Sequence, residues 1–376
     1  MAQSDRIGSL DRVRAFAVLL VIVLHASITY MVGAPEWWYV LESERSLLFT
    51  ALVLLIDVPA MPALFFISGY FALPSLLRRG PQQFLRDKLL RIGLPWVFGV
   101  LFLAPPIAYL IYLSRGIPVS LLEFWRRDFW GDMYQQAVYW FLGVLLVLFL
   151  AIAVLYDSPT RRASFSRQPA LPSPVWLVGF VGLTAAAFLL MNQYYPLDTW
   201  LKVGYVWVVQ PERVPLYIAY FALGVYAYQH AWFLPGGYRP PLDTWALWCA
   251  LSGALYLSYR LTYPPALQTT LTRQAANAAL FNVFCFSSLM AGIALFRRQT
   301  AIPEPVWNSL AANSFGVYYV HPLVVYPLAY ILRSLSFPMI LKAIMLIGVS
   351  IGLSWSASAL LLRRAPVLRR VFAGLD

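Results

Sequence analysis

Ten long apolar runs divide this sequence, and each is long enough to form a helix that crosses a lipid bilayer. Such a helix needs about 20 mainly apolar residues, and continuous apolar runs, unlike period-2 alternations, indicate helices and not a barrel. Apolar residues make up 61% of the chain and charged residues 12%, outside the usual range of soluble domains. The predicted spans are 13–33, 47–73, 92–113, 138–156, 174–192, 214–231, 243–261, 277–296, 308–332 and 339–362. We therefore predict an all-α, polytopic integral membrane protein with about ten transmembrane helices.

The Lys and Arg residues predict the orientation of these helices. With the amino terminus inside, the cytoplasmic connections carry 18 of the 28 Lys and Arg residues, as the positive-inside rule requires. These 18 are Arg6, Arg12, Arg14, Arg78, Arg79, Arg86, Lys88, Arg91, Arg161, Arg162, Arg167, Arg239, Arg297, Arg298, Arg363, Arg364, Arg369 and Arg370. The acidic residues Glu36, Glu42 and Glu44 fall on the other face. Both termini are predicted to be cytoplasmic, and the net charge of +12 then needs no nucleic-acid partner.

Few residues in the chain suit a disulfide or a metal centre. The two cysteines, Cys249 and Cys285, lie in predicted spans, and there are only three histidines, so we predict no disulfide and no metal site.

The first apolar run is too long for an ordinary signal peptide, and no small-residue cleavage site follows it. Trp37, Trp38 and Tyr39 suit an interfacial aromatic belt.

Several predicted spans contain prolines, which remove backbone hydrogen bonds and are expected to kink or break the helices. Kinks inside a membrane leave backbone groups that need partners in protein or water, which favours an interior cavity. The prolines concerned are Pro59, Pro62, Pro95, Pro105, Pro106, Pro322 and Pro327.

The first span carries two ionisable residues, Arg14 and His25, eleven positions apart. At about 100° per residue they return to one face of a helix, and at about 1.5 Å per residue they are separated by roughly 16 Å along its axis. An ionisable residue within a membrane span is costly, which makes it a candidate for function. The alternatives are that Arg14 extends to the membrane surface and that His25 hydrogen-bonds a neighbouring helix.

Five segments, in this order, resemble the acyltransferase-3 family of membrane acyltransferases, and in particular its glucan-succinylating branch. They are DRVRAFAVLLVIVLH, PALFFISGYF, RDKLLRIGLPW, VYWFLGVL and SFGVYYVHPLVV. The resemblance implies one transmembrane acyltransferase domain over 1–376 and transfer of an acyl group from acyl-coenzyme A to a hydroxyl group. It also implies that Arg14 and His25 are the residues most closely tied to activity.

The chemistry of these two residues agrees with that activity. A guanidinium near the cytoplasmic surface suits the phosphates of coenzyme A, and a deeper, neutral imidazole at His25 can act as general base for the attacking hydroxyl. Asp11, three residues before Arg14, can pair with it, or can occupy the first helical turn, where a carboxylate is favoured.

A second basic group precedes the third span. Arg86, Lys88 and Arg91 resemble the family's basic residues at the same place, so phosphate binding is the hypothesis. Ordinary positive-inside charge is the alternative.

Four further residues are candidates for supporting roles. Ser68 precedes Gly69 in a small-residue surface that favours helix packing, and we do not predict an acyl-enzyme on it. Asp57 is an intramembrane carboxylate that could orient His25. Tyr318 and His321 match the family's Tyr-x-x-His-Pro pattern and are candidates for the acceptor site, whereas a packed histidine is the alternative.

The sequence thus predicts a multi-pass O-acyltransferase of the bacterial inner membrane. Its predicted partners are membrane lipid, acetyl- or succinyl-coenzyme A as donor substrate, and a glycan or lipid-linked sugar as acceptor. A transporter or flippase of a lipid-linked sugar is the main alternative, since it would also keep intramembrane charges and broken helices. The acyl group, the acceptor and the oligomeric state stay open.

Overall fold

The computed structural model describes residues 8–156, 168–298 and 302–365, together with Leu368. Within these residues eleven main helices account for most of the chain. They are α1 Gly8–Ile28, α2 Leu47–Arg79, α3 Pro81–Ser114, α4 Ala137–Leu155, α5 Pro174–Tyr194, α6 Val214–Gln229, α7 Leu242–Thr262, α8 Leu271–Arg297, α9 Glu304–Val320, α10 Pro322–Arg333 and α11 Met339–Leu362. Of the predicted cytoplasmic Arg residues, Arg6, Arg161, Arg162, Arg167, Arg369 and Arg370 lie outside the described residues.

Short elements lie in the connections. Strands β1 Leu201–Val203 and β2 Trp207–Val209 form an antiparallel hairpin in which Leu201 pairs with Val209. Single helical turns cover Leu121–Glu123, Phe124–Asp128, Pro211–Arg213 and Pro265–Leu267.

The prediction of a helical, membrane-spanning architecture is confirmed. Among the described residues, six helices are long and apolar enough to cross a bilayer, and the pair α9–α10 makes a seventh if it is one span. The remaining predicted spans are also helical, but α6 has only 16 residues and α1 carries Asp11, Arg12 and Arg14. A count of ten spans and cytoplasmic termini stay predictions.

The helices form a bundle, and a different set of contacts joins them at each of its two ends. At one end, called the Arg14 end, Arg12 at the start of α1 pairs with Glu304 at the start of α9. At the other, called the Trp38 end, Arg115 after α3 donates to the backbone oxygen of Trp38. Lys342 of α11 pairs there with Glu42 at 3.1 Å, with both side chains buried.

Prolines act differently in the three helices where kinks were predicted. α2 runs unbroken through Pro59 and Pro62, so the predicted break of this helix does not occur. In α3, wider π-helical turns precede Pro95 and Pro105, because each proline has no N–H for the preceding turn. Between α9 and α10 the chain bends by 62° at Pro322.

Glycines allow α2 and α6 to pack at backbone distance near the centre of the bundle. A Cβ atom at Gly69 of α2 would lie 2.0 Å from the backbone oxygen of Phe221, and one at Gly224 of α6 would lie 2.0 Å from that of Phe66. Small residues at a helix interface have this effect in membranes. The packing interpretation of the Ser68–Gly69 pair therefore agrees with the structure.

Candidate active site

A cavity of about 500 Å³ lies at the Arg14 end, between α1, α2, α3, α4 and α9. Among the described residues, four cationic side chains line it and no carboxylate does: Arg14, Lys88, Arg91 and Arg363. Ser68 and Tyr318 also line it. Its volume falls within the range of about 300–1,000 Å³ usual for ligand pockets.

Two of these cations carry polar hydrogens that have no partner within the described residues. The Nη2 atom of Arg91 and the Nε atom of Arg363 are buried and form no hydrogen bond there. Buried N–H groups without partners are rare in folded proteins. Because both residues line the cavity, their guanidinium groups are suited to bind the oxygens of an anionic ligand.

Arg14 is held in place by residues of α1 and α9. Its Nη2 atom lies 2.8 Å from the carboxylate of Asp11, its Nε donates to the Ser314 hydroxyl at 3.2 Å, and Nη2 also donates to the Ala311 carbonyl. Asp11 and Arg14, three residues apart, thus form the ion pair that their spacing allows. These contacts fix the guanidinium and leave about a third of the Arg14 side chain exposed.

Arg86 does not line the cavity and is exposed. The reason is helical geometry, since two residues correspond to a rotation of about 200°. Arg86 therefore lies on the side of α3 opposite Lys88, whereas Arg91 returns to the side of Lys88. The structure brings Arg14, Lys88 and Arg91 together and leaves Arg86 apart.

His25 lies further along α1 and stacks on His321. The ring planes are 6° from parallel with centroids 5.1 Å apart, and the Nδ1 atom of His25 lies 2.9 Å from the Nε2 atom of His321. Arg14 and His25 thus both face the segment that runs from α9 into His321. His25 is not among the residues that line the cavity.

The hydrogen bonds of His321 determine which ring nitrogens carry protons when both histidines are neutral. The Nδ1 atom of His321 lies 2.6 Å from the carbonyl oxygen of Tyr318, and a carbonyl can only accept, so Nδ1 carries the proton. Nε2 of His321 is then an acceptor, and Nδ1–H of His25 donates to it. The Nε2 atom of His25 is consequently unprotonated, and it has no hydrogen-bond partner among the described residues.

Pro322 explains why the Tyr318 carbonyl is available to His321. In an unbroken helix that carbonyl would accept the N–H of residue 322, four positions later, but proline has no N–H. The backbone bends there by 62°, and the imidazole N–H takes the vacant position. His321 is fully buried. Its hydrogen bond with the Tyr318 carbonyl agrees with the interpretation of His321 as a packed histidine, and His321 also contacts His25.

Tyr318 connects the cavity with the histidine pair. Its side chain lines the cavity and its hydroxyl donates to the carbonyl of Val138, while its own carbonyl holds His321. Phe141, also in the cavity wall, contacts the Tyr318 ring at 5.6 Å.

A path of tryptophans leads from His25 toward the Trp38 end. Ring centroids are separated by 5.7 Å from His25 to Trp38, 5.8 Å from Trp38 to Trp37, and 6.5 Å from Trp37 to Trp200. Trp200 contacts Trp140 at 5.5 Å. The predicted belt residues Trp38 and Tyr39 are buried, because they pack toward His25 and Tyr326 and not toward lipid.

Asp57 pairs with an arginine and not with His25. Its Oδ2 atom lies 2.6 Å from Nη2 of Arg213, which also contacts Asp198 at 3.0 Å. Arg260 binds the second oxygen of Asp198 at 3.0 Å. Asp57 therefore does not orient His25, as hypothesised, but belongs to a network of paired charges. A nearby cation stabilises an intramembrane carboxylate. His25 is oriented by His321.

The network extends into the loop before α6. Burial alone would raise the pKa of Asp198, but the guanidinium groups of Arg260 and Arg213 outweigh it and hold that pKa below its usual value. Burial raises the pKa of Glu212 to about 7, although Arg213 lies beside it. Arg213 and Asp198 were not predicted from the sequence, where they are ordinary loop charges.

Arg363 was also missed as a site residue, because at the end of the last helix it is indistinguishable from positive-inside charge. Ser314 lies within SFGVYYVHPLVV, where nothing in the sequence indicates a contact with Arg14. Only the packing of α11 and α9 against α1 brings these residues to the cavity.

Comparison with known proteins identifies similarity to one family. Residues 7–359 match the family model of the acyltransferase-3 type described as "Acyltransferase domain". A protein named Glucans biosynthesis protein C from Salmonella gallinarum is 24% identical over 241 residues, which cover 59% of this chain and 58% of that protein. Another of that name from Escherichia coli O6:K15:H31 is 30% identical over 145 residues, 37% of this chain and 36% of that protein. The matched regions thus span less than two thirds of either relative. No solved structure matches this chain.

Proposed function

Since this chain belongs to the acyltransferase-3 family, we propose that it is a membrane O-acyltransferase that moves an acetyl or succinyl group from acyl-coenzyme A to a hydroxyl group of a glycan or lipid-linked sugar. One observation carries the proposal. The cationic cavity and the basic nitrogen of His25 are joined by a single run of contacts, from Tyr318 through His321 to His25.

In this proposal the cavity binds the donor substrate. Coenzyme A carries several phosphate oxygens. Arg14, Lys88, Arg91 and Arg363 offer positive charge, and no carboxylate among the described residues lines the wall. Charge-assisted hydrogen bonds from arginine to phosphate are among the strongest in proteins. The acyl end of the flexible pantetheine arm would extend along α1 toward His25, about 16 Å from Arg14 along the helix axis.

His25 then acts as the general base. Its Nε2 lone pair takes the proton of the acceptor hydroxyl while the oxygen attacks the thioester carbonyl carbon. The carbon–sulfur bond breaks, the imidazolium returns its proton to the departing sulfur, and the products are an ester and free coenzyme A. General base catalysis of this kind contributes about 10²- to 10⁴-fold.

His321 acts as a positioning residue in this scheme. Its Nε2 acceptor holds Nδ1–H of His25 and stabilises the imidazolium that forms after proton transfer. The Tyr318 carbonyl holds His321 in turn. A base oriented by a second hydrogen-bonded group is a recurrent arrangement in acyl transfer.

The acceptor enters from the Trp38 end in this proposal. Trp37 is 44% exposed and belongs to the tryptophan path that ends at His25, so a sugar has flat apolar faces to pack on near the base. The protein would lie in the bacterial inner membrane, with the Arg14 end toward the cytoplasm because Arg14, Lys88, Arg91 and Arg363 lie there. The relatives' name, Glucans biosynthesis protein C, supports a glucan as the first acceptor to test.

The test is release of free thiol when the purified protein meets acetyl- or succinyl-coenzyme A with glucan oligosaccharides. The wild-type protein should release thiol and form the ester. His25→Ala should lower the rate by about 10²- to 10⁴-fold.

His230→Ala is the matched control, because His230 packs on Tyr226 and lies outside the site. It should leave the rate unchanged. A wild-type protein that moves a lipid-linked sugar across vesicles without releasing thiol would overturn the enzyme in favour of a transporter. Near-native turnover in His25→Ala would remove the general base.

A further inference from the structure

A second cavity of about 410 Å³ lies at the Trp38 end, between the end of α5 and the start of α8. It is lined by the loop after α5 and the helical turn Pro265–Leu267. It is separate from the cationic cavity, since the two share no lining residue.

The described walls of this cavity are uncharged and mix polar with apolar residues. The described residues that line it include four side-chain amides and two tyrosines, and none is acidic or basic: Asn192, Gln193, Gln268, Gln274, Tyr194 and Tyr195. A pocket without charge does not favour phosphate, carboxylate or ammonium groups. Its lining suits a neutral ligand that is rich in hydrogen-bonding groups.

Two of the amides are buried and have unused hydrogen-bonding atoms. Asn192 is 6% exposed and Gln268 4% exposed. Within the described residues, Nδ2 of Asn192 and Oε1 of Gln268 have no partner. A buried polar group normally has one. One unpartnered donor and one unpartnered acceptor therefore belong to residues that line a single uncharged cavity.

Other amide atoms at the same place form hydrogen bonds within the wall. Nε2 of Gln193 donates to Oε1 of Gln274 at 2.9 Å, and Nε2 of Gln268 donates to the Tyr263 carbonyl at 2.8 Å. These bonds hold the cavity wall in one arrangement and orient Gln268 Oε1. The two unused atoms thus belong to a wall that these hydrogen bonds hold in place.

A hydroxyl group is both a donor and an acceptor, so two hydroxyls of one sugar ring can serve both Asn192 and Gln268. Tyr194 is 74% exposed and adds an aromatic face at the rim. The volume lies within the usual range of about 300–1,000 Å³ for ligand pockets.

The cavity is close in sequence to the tryptophan path. Leu197 lines the cavity, Asp198 beside it is held by Arg213 and Arg260, and Trp200 contacts Trp37. An extended glycan that follows the segment 196–200 can contact the amides at one unit and the tryptophans at another.

We propose that this cavity is a second sugar-binding subsite, which holds one unit of a neutral saccharide chain while another unit is presented to His25. The proposal rests on the proposed function, because it assigns the acceptor of that reaction to an oligosaccharide and not to a single sugar. A free glucan and the head group of a glycosyl lipid both offer the sugar hydroxyl groups that this cavity would bind.

The experiment compares Asn192→Leu and Gln268→Leu, which keep side-chain size and remove the polar atoms. Asn277→Leu is the matched control. Asn277 is also buried, and its amide atoms have no partner among the described residues, but it does not line this cavity. Acceptors are soluble glucan oligosaccharides from one to seven units and, separately, a polyprenyl-linked glucose in lipid nanodiscs.

Both cavity variants should raise the KM for the heptasaccharide about tenfold, the effect of one lost hydrogen bond in a binding site. The kcat, the KM for acyl-coenzyme A and the KM for glucose should not change. An effect on the polyprenyl-linked glucose but not on the heptasaccharide would overturn the oligosaccharide subsite and assign the cavity to a single lipid-linked sugar. Unchanged values for both acceptors, or an equal effect of Asn277→Leu, would overturn the subsite.

Calorimetric binding of the heptasaccharide separates this inference from the proposed function. Loss of binding in Asn192→Leu and Gln268→Leu supports the subsite even if the wild-type protein releases no thiol. Binding that both variants retain overturns the subsite even if the enzyme is active.

Discussion

The Nδ1 atom of His25 lies 2.9 Å from the Nε2 atom of His321, and the rings are stacked within 6° of parallel. Because the other nitrogen of His321 is committed to the Tyr318 carbonyl, this contact fixes the tautomer of His25. The Tyr318 carbonyl, two hydrogen bonds away, therefore determines that the free lone pair of His25 is on Nε2.

Removing the positioning histidine is expected to lower kcat. His321→Ala takes away the acceptor for Nδ1–H of His25, so the ring can rotate or change tautomer, and kcat should fall about 10²-fold or more. His321→Gln keeps a side-chain oxygen as acceptor and should recover part of the rate. Initial rates with a fixed acceptor measure this, and equal rates in the two variants would argue against positioning.

Pro322 should be required for the same arrangement. Pro322→Ala supplies an N–H that competes with His321 for the Tyr318 carbonyl, so kcat should fall about tenfold while the KM for acyl-coenzyme A is unchanged. Thermal stability should not fall, because alanine restores a helical hydrogen bond. Pro327→Ala, within α10, is the control and should keep the wild-type kcat. A Pro322→Ala enzyme with normal kcat would contradict the role of the bend.

The cationic cavity should determine the affinity for the donor. Arg91→Gln and Arg363→Gln each remove buried N–H groups without a partner in the described residues. Each should raise the KM for acyl-coenzyme A about tenfold or more, the effect of one charge-assisted hydrogen bond, with kcat little changed. Arg86→Gln should leave this KM unchanged, since Arg86 is exposed outside the cavity. An equal increase in all three variants would indicate a general surface-charge effect.

Glu212 should make stability depend on pH. Burial raises its pKa to about 7 in the folded protein, above the roughly 4.3 of an unfolded glutamate. The folded state thus binds more protons between these values, so this residue's contribution to stability is complete below about pH 4 and decreases as pH rises to about 7. Glu212→Gln should flatten that decrease in thermal unfolding measured in detergent. A wild-type profile in the variant would refute this assignment.

The close packing of α2 on α6 should not tolerate a methyl group. Gly69→Ala places a Cβ atom 2.0 Å from the Phe221 oxygen, so the helices must separate, at a cost of about 1–3 kcal/mol. Gly182→Ala in α5 meets nothing within 4 Å and should be neutral or stabilising by up to about 1 kcal/mol. Melting temperatures compare the two, and an undiminished value for Gly69→Ala would contradict the close contact.

Much of the architecture could be predicted from the sequence, because a membrane span is a local property. A run of apolar residues near the bilayer thickness favours a helix whatever its neighbours are, and each of the ten predicted runs is helical in the structure. The common face of Arg14 and His25 also follows from helical periodicity within one segment. The bend at Pro322 follows from the missing N–H of one residue.

The candidate site depends on contacts between residues far apart in the chain, and these the sequence could not provide. His25 meets His321 across 296 positions, and Asp57 meets Arg213 across the bundle, although its own sequence suggested a role beside His25. Arg86, Lys88 and Arg91 look alike as basic residues, and only the packing of α3 shows which of them line the cavity. Periodicity determines which face of a helix a residue occupies, but the partner opposite that face is decided by the packing of all the helices together.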